Sequence, residues 1–458
     1  MKAAIFVNEL SLGGTEKAAC EWGRLLKERE HEIFFLALKS GPRISDLERS
    51  NIPYTIISES STQAKILIAD IIAPMDVIHI HAPGFPHPGD VLGNAIQYLG
   101  RKIPVVQTNI FGKLQNPAEN AWTDFRLYIS WTSCVQAARR SGRRLDHEFF
   151  RRQSVAVYPL EDPLEDQAKR EILELGSGRL RESLGRAPEH VLFGRFSRPE
   201  PNKWTPLVLE AFLAAYRENP NLRLLLREPP PEVAHHLQNS GLAQLYPATD
   251  RMKAQLPNIQ RTIYHSQSAT ICPILILPAT ADPTELTTSQ MACDVILHTS
   301  SIGESFGYGL AEPMALGKPV ITNSVPWHDQ AQIELVRHGE CGLIASTPPS
   351  MKKAILHMAG EEARRIACGR TARQHILKTA CPTIATDRVE MALQCACSDA
   401  DNPMAEQDLE VARRTAEYLD KHQWGHDIRE MLQLHTQNAK IRFQNSQRRL
   451  RDSLKRLS

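Results

Sequence analysis

The sequence predicts an α/β protein of two similarly built domains, each with a parallel sheet covered on both faces. Three observations predict it. Short apolar runs alternate with amphipathic stretches through the first half of the chain, as strands and helices do around a parallel sheet. The alternation restarts at Val191, after Pro159 and Pro163 interrupt it. The length of 458 residues suits two or three domains at roughly 150 residues each.

Ala3 to Val7 reads as a strand and Leu12-Gly13-Gly14 as the turn after it. Glu16 to Arg29 has helical spacing, with Ala19, Trp22, Leu25 and Leu26 recurring at three and four. Ile33 to Leu38, Val77 to Ile80, Val105 to Thr108 and Leu127 to Ser130 follow as β-rich runs separated by helix-length segments. In the second half, Val191 to Phe196, Leu222 to Leu226, Ile271 to Leu277, Val295 to His298 and Pro319 to Asn323 read as strands. Helices fit Pro206 to Arg217 and Tyr308 to Leu316. The domains are expected at 1–163 and 164–398, the second ending in a closing helix. Residues 403–458 show no strand signal and only one glycine, Gly425. They read as one or two polar helices, basic at the far end, appended to a completed fold.

Composition narrows the function. Lys plus Arg is 54 and Asp plus Glu is 52, a net charge of +2, which argues against a dedicated nucleic-acid binder. The longest apolar run, Ile271 to Leu277, is broken by Pro273 and is too short to span a bilayer. The N-terminal stretch lacks the regions of a signal peptide. The nine cysteines are odd in number and contain no C-x-x-C pair, which suits free thiols in a reducing, cytoplasmic setting. Cys395 and Cys397 have no second ligand pair nearby, so no metal site is expected.

The strongest chemical signal is Gly303-Glu304-Ser305-Phe306-Gly307-Tyr308-Gly309-Leu310-Ala311-Glu312, between two strands. A helix beginning near Phe306 would aim free N–H groups beside Glu304, an arrangement that attracts phosphate. Glu312 would then lie about 9 Å further along the axis. That span suits a sugar nucleotide, with sugar near Glu304, diphosphate at the helix start and ribose at Glu312. A helix with one N-terminal and one buried, satisfied glutamate is the alternative. The fingerprint G-x-G-x-x-G is absent, which weakens a nicotinamide dinucleotide reading.

This stretch resembles the E-x7-E signature of retaining glycosyltransferases of the GT-B fold, family four. Other pieces are similar in the same order: Gly13-Gly14-Thr15-Glu16, Gly194 to Lys203, Val325-Pro326-Trp327, and Glu334 to Leu343. The resemblance covers roughly residues 1–398. It implies two Rossmann-like doubly wound domains facing a cleft, acceptor bound by the first and donor by the second, with a helical C-terminal extension beyond. The activity implied is transfer of a sugar, with retention of configuration, from a UDP- or GDP-linked donor to a glycan, lipid or small-molecule acceptor. No metal or other cofactor is implied. A non-catalytic nucleotide-sugar scaffold and a nucleotide-sugar epimerase of the same fold are the alternatives.

The resemblance also implies roles. Glu304 would contact the donor sugar; Ser305, Phe306 and Gly307 would offer backbone N–H groups to the phosphates; Glu312 would hold the ribose. Arg198 and Lys203 match the family's cation pair, which would neutralise the departing diphosphate, with Arg195 as rival to Arg198. Surface cations in a Pro-rich loop are the plainer reading. Gly13 and Gly14 let backbone approach a ligand closely, as donor-binding residues at the phosphate or else beside the acceptor, or simply make a tight turn. His79 and His81 share a strand face near its C-terminal end, and His81 is expected to line the acceptor pocket, unless both are structural. Many relatives carry a histidine after the strand ending at Thr108; here Asn109 is the candidate in its place. Arg139, Arg140, Arg143, Arg144, Arg151 and Arg152, with Phe149 and Phe150, are compatible with a peripheral membrane contact at the inner face or with a solvated helix. The basic end has Phe443, Leu450, Leu454 and Leu457 spaced for a membrane, a coiled-coil partner in a homo-oligomer, or its own domain.

Overall fold

In the first half of the chain, seven strands line up in parallel: β1 (Lys2–Glu9), β2 (Glu32–Lys39), β3 (Tyr54–Ile56), β4 (Val77–Ile80), β5 (Val105–Asn109), β6 (Phe125–Tyr128) and β7 (Gln153–Val155). Their order is β3-β2-β1-β4-β5-β6-β7. The computed structural model describes residues 1–57, 62–83, 85, 90–112, 122–184, 187–245, 272–280, 282–426, 429–441 and 444. Ala3 to Val7 are all buried, as a central strand covered on both faces must be. Phe6, Leu36, Ile68, Ile78, Leu92 and Val105 share one core. Helix Gly14–Glu28 follows β1 and buries Ala18, Ala19, Trp22 and Leu26.

The second sheet repeats the plan with β8 (Val191–Phe196), β9 (Leu222–Arg227), β10 (Ala243–Leu245), β11 (Ile274–Leu277), β12 (Val295–His298), β14 (Val320–Thr322) and β16 (Gly342–Ile344). Its order is β10-β11-β9-β8-β12-β14-β16, again parallel. Two short strands, β13 (Gly303–Glu304) and β15 (Asp329–Gln330), pair apart from it. Phe193, Phe212, Leu224, Ile276, Leu297 and Ile355 form its core. Both sheets reverse direction once: the chain runs outward from β1 and returns at β4, and runs outward from β8 and returns at β12. Such switch points, at the carboxyl ends of the strands, are where open α/β sheets bind ligands.

The chain divides into two units that differ from the expected domains. The first comprises Met1–Glu161, Ser305–Gly307 and Lys378–Tyr418; the second comprises Asp162–Glu304, Tyr308–Leu377 and Leu419–Ser458. The first boundary falls two residues before the expected 163. The closing helix, Pro382–Ser398, belongs to the first unit, where Arg29 bonds Glu390 and Asp387 and His31 bonds Glu390.

The segment from 403 is not an appendage. Helix Ala405–His422 carries the fully buried Asp408, whose Oδ1 lies 2.5 Å from Arg388 Nη1. Asp408 Oδ2 accepts from Ser154 Oγ at 2.7 Å and from Asn402 Nδ2 at 3.0 Å. This ion pair, with every carboxylate oxygen satisfied, fastens the helix to the first unit beside β7. Further along, Glu430 is buried in the second unit and accepts from Ser346 N, Ser350 Oγ and His426 N. The sequence pattern reads charges as exposed; here paired charges are core. Of the expected basic tail, Arg442, Phe443, Arg448, Arg449, Leu450, Arg451, Leu454, Lys455, Arg456 and Leu457 lie outside the described residues.

Candidate functional site

The switch point of the second sheet gathers the charged residues that the sequence singles out. β8 leads into the loop ending at Lys203, and β12 into the loop carrying Glu304. Lys203 Nζ donates to Glu304 Oε1 at 2.7 Å and to the Gly303 carbonyl at 3.3 Å. His298, the last residue of β12, brings Nε2 to the same Oε1 at 2.8 Å. The Glu304 backbone N–H donates to Gln332 Oε1 at 2.9 Å, and pairing of β13 with β15 fixes the backbone there. Burial alone would raise the Glu304 pKa. The Lys203 charge, aided by the His298 hydrogen bond, overrides burial and holds it at about 2. Burial lowers the His298 pKa, with Lys203 and Arg195 adding to the effect and Glu304 opposing it.

Arg195 is 1% exposed. Its guanidinium donates to the Thr299 carbonyl at 3.0 Å, to Thr299 Oγ1 at 3.2 Å and to the Lys203 carbonyl, and lies 4.7 Å from the Trp204 ring centre. Burial pushes its pKa down to about 9 against the pull of Glu304. Arg195 therefore ties the two loops together from behind. Arg198 is the opposite case: its side chain is 61% exposed and pairs with Glu200 at 3.1 Å.

The helix after the loop begins at Tyr308, the start that the apolar pattern predicts and two residues beyond Phe306. Gly307 has φ of 100°, a left-handed backbone that cannot join the helix, and Phe306 is buried against Tyr158 with ring centres 5.5 Å apart. Glu312, half-buried, is thus four residues into the helix, about 6 Å along its axis. Ser305 and Gly307 are half-buried.

At the switch point of the first sheet two buried histidines replace the ion pair, and one carboxylate, Glu16, lies at the helix start. Gly13 is the N-cap of helix Gly14–Glu28. A Cβ there would meet Glu16 Oε2 at 2.1 Å, so glycine lets this carboxylate fold over the helix start, where acidic groups are favoured. Gly14 is exposed. His81 is 1% exposed. Its Nε2 is 3.0 Å from Tyr158 Oη, and its ring packs edge-on to Trp22 at 5.1 Å. It is enclosed rather than facing a surface. Burial, then the neighbouring His79, pushes its pKa well below the ordinary value. His79 bonds Thr108 Oγ1 at 2.8 Å, and burial lowers its pKa to about 4. Asn109 ends β5 and is buried.

In the stretch compatible with a membrane contact or a solvated helix, the aromatics turn inward while Arg139, Arg140, Arg143, Arg144 and Arg151 are exposed. Phe149 and Phe150 are buried. Arg140 donates to the Gly112 carbonyl and Gln136, Arg143 lies over Phe149, and Arg151 and Arg152 pair with Asp401 and Asp399. Among the described residues no helix is long and apolar enough to cross a membrane. Among them, too, no group of three or more His, Cys, Asp or Glu is placed to hold a metal ion. All nine cysteines are free thiols.

His298 and Gln332 are the site residues that sequence reasoning missed. The position of His298, closing the strand before the glutamate loop, was a usable signal. Gln332 gave none, since its approach depends on the β13–β15 pairing.

Comparison with known proteins adds the following. No curated protein matches the chain. Among solved structures, HepE of Anabaena in complex with UDP and glucose aligns over 86% of this chain and 99% of its own, at 17% identity and TM-score 0.61. A glycosyltransferase from Rickettsia africae aligns over 86% and 98%, at 14% identity and TM-score 0.62. WaaG, a glycosyltransferase involved in lipopolysaccharide biosynthesis, aligns over 84% and 98%, at 13% identity and TM-score 0.54. These likenesses establish the GT-B fold. Residues 273–375, which contain His298, Glu304 and Glu312, match the family described as Glycosyl transferases group 1.

Proposed function

We propose that this protein is a glycosyltransferase that moves a sugar from a nucleoside diphosphate sugar to an acceptor hydroxyl, with retention of configuration, in a reducing cytoplasm. The observation that carries the reading is the meeting of Lys203, Glu304 and His298 at the switch point of the second sheet. It is supported by the match of residues 273–375 to group 1 glycosyl transferases. HepE was solved with UDP and glucose, so a UDP-linked donor is the first choice, with a GDP-linked one second.

In this reading Glu304, held ionised, accepts hydrogen bonds from sugar hydroxyls. The backbone N–H groups of Ser305, Phe306 and Gly307, and the start of helix Tyr308–Ala315, face the diphosphate. The bond from the anomeric carbon to the phosphate oxygen breaks. The acceptor oxygen bonds to the same face of that carbon, and its proton passes to the departing phosphate oxygen. Lys203 and Arg198 stabilise the charge that grows on the diphosphate, so no metal or other cofactor is required. Glu312 holds the ribose. The first unit serves the acceptor, with Asn109 on the acceptor side and His81 bracing Tyr158 from within, while Gly13 and Gly14 bring backbone to the donor phosphate or the acceptor. The acceptor is a glycan, lipid or small molecule.

A thermal-shift and transfer assay with UDP- and GDP-sugars tests the proposal. A ligand at 100 times its Kd adds about 2.7 kcal/mol of stability. Glu312→Ala should weaken donor binding about 10- to 100-fold, since hydrogen bonds to a charged group contribute about 1.5–3 kcal/mol. Absence of stabilisation by any nucleotide sugar would remove the reading. Binding without transfer or hydrolysis would favour a scaffold, and conversion of the donor sugar itself an epimerase.

A further inference from the structure

Glu304 Oε1 receives two nitrogen donors at once, Lys203 Nζ at 2.7 Å and His298 Nε2 at 2.8 Å. Lys203 is therefore already neutralised by a carboxylate, and a diphosphate that recruits its ammonium competes with Glu304 for it. His298 has no such freedom. It is 4% exposed, terminates a strand whose register places it beside Thr322 of β14, and its ring lies against Gly309, with Nδ1 3.5 Å from the position a Cβ there would take.

We infer that His298 is a positioning residue of the donor site: as a diphosphate draws Lys203 away, His298 takes over Glu304 and gains a proton from solvent on Nδ1. The inference rests on the donor reading given above. The charged groups acting on His298 are Glu304, Lys203 and Arg195, and the helix starting at Tyr308 meets its ring with the uncharged Gly309. Nε2–H donates to Glu304 in both protonation states, so the second proton goes to Nδ1. Movement of Lys203 toward phosphate lessens the repulsion of an imidazolium. It leaves Glu304 with His298 as its nearest cation, and the bound diphosphate adds negative charge nearby. All three changes favour the protonated ring. Glu304 thus keeps a donor throughout the exchange and stays aimed at the sugar.

The test is calorimetric titration of the full chain with UDP-glucose, and with GDP-mannose in parallel, at pH 7 in buffers of different ionisation enthalpy. Both phosphates of these ligands are diesters, with no group that titrates near neutrality, so a buffer-dependent heat reports protons taken up by the protein. Wild type should take up a measurable fraction of one proton per nucleotide sugar, less as pH rises toward 8. His298→Gln, whose amide still donates to Glu304 but does not titrate, should bind with no uptake. Lys203→Met should reduce the uptake. Binding with buffer-independent heat in wild type, or unchanged uptake in His298→Gln, would overturn the inference and leave the donor reading standing. The wild-type pH series decides the matter even where a variant fails to fold. No binding of either nucleotide sugar overturns the donor reading, and this inference with it.

Discussion

At the first sheet's switch point the side chains are His79, His81, Trp22 and Tyr158; at the second sheet's they are Lys203, Glu304, His298 and Arg195. The backbone plan is shared, parallel strands reversing beside β1 in one and beside β8 in the other. Burial is shared too. In the first unit burial acts on His79 without a counter-charge, and desolvation pushes it down to about 4. In the second, Lys203 stands 2.7 Å from Glu304, and pairing reverses the rise that burial alone would produce. The difference teaches that the fold fixes where a site lies, while a single close counter-charge decides whether a buried group there stays ionised.

The largest expected effect tests how far the units differ in what holds them. Asp408→Ala would leave Arg388 buried without its partner. Breaking a buried pair in this way costs about 3–5 kcal/mol, so the urea midpoint of the first unit should fall sharply. A loss under about 1 kcal/mol would show that water reaches Arg388 and that the pair is not part of the core.

The next contrast lies within the second unit. Lys203→Ala should lower turnover about 100- to 1,000-fold, the range for removing one fixed donor from a developing charge. Arg198→Ala should lower it less, because an exposed cation is screened by water and salt. Donor binding should fall less than turnover in both, and activity should survive EDTA. Equal losses in steady-state assays would mean that Arg198 closes onto the diphosphate as fully as Lys203 does.

The third concerns acid. Unfolded His79 binds a proton near pH 6.5, whereas the folded ring resists until about 4. Stability should therefore fall as pH drops from about 6.5 to about 4 and level off below, a loss on the order of 3 kcal/mol from this group. His79→Gln should flatten that part of the profile in denaturant melts across pH. An unchanged profile would assign the acid sensitivity elsewhere.

The central strands were legible because they are continuous apolar runs: Val77 to Ile80, Val191 to Phe196 and Val295 to His298 have the bounds that their pattern predicts. The three-residue strands Tyr54–Ile56, Gln153–Val155, Ala243–Leu245 and Gly342–Ile344 were not. Each is too short to show a period and is defined by its neighbour. β6 lies two residues earlier than Leu127 to Ser130 suggests, because Ser130 caps the next helix by accepting from the Ser133 N–H. Glu304 and Lys203 announce themselves by charge in glycine- and proline-bearing loops. His298 is marked only by its place at the end of a strand, just before the glutamate loop. Arg388 and Asp408 carry no sequence signal, since nothing in a linear sequence shows that residues 20 positions apart are partners.

Ser154 waits 254 positions for Asp408. A ribosome adding roughly 5–20 residues per second delivers that carboxylate on the order of tens of seconds after the serine. In the interval β7, at the edge of the first sheet, lacks the Asn402 side chain that bonds the Gln153 carbonyl. Closing so long a loop is slow, and an uncovered strand edge is a template for unwanted pairing. The first unit to be synthesised is thus completed only after most of the second has been made, which places the hazard of misassembly during translation on the amino-terminal sheet.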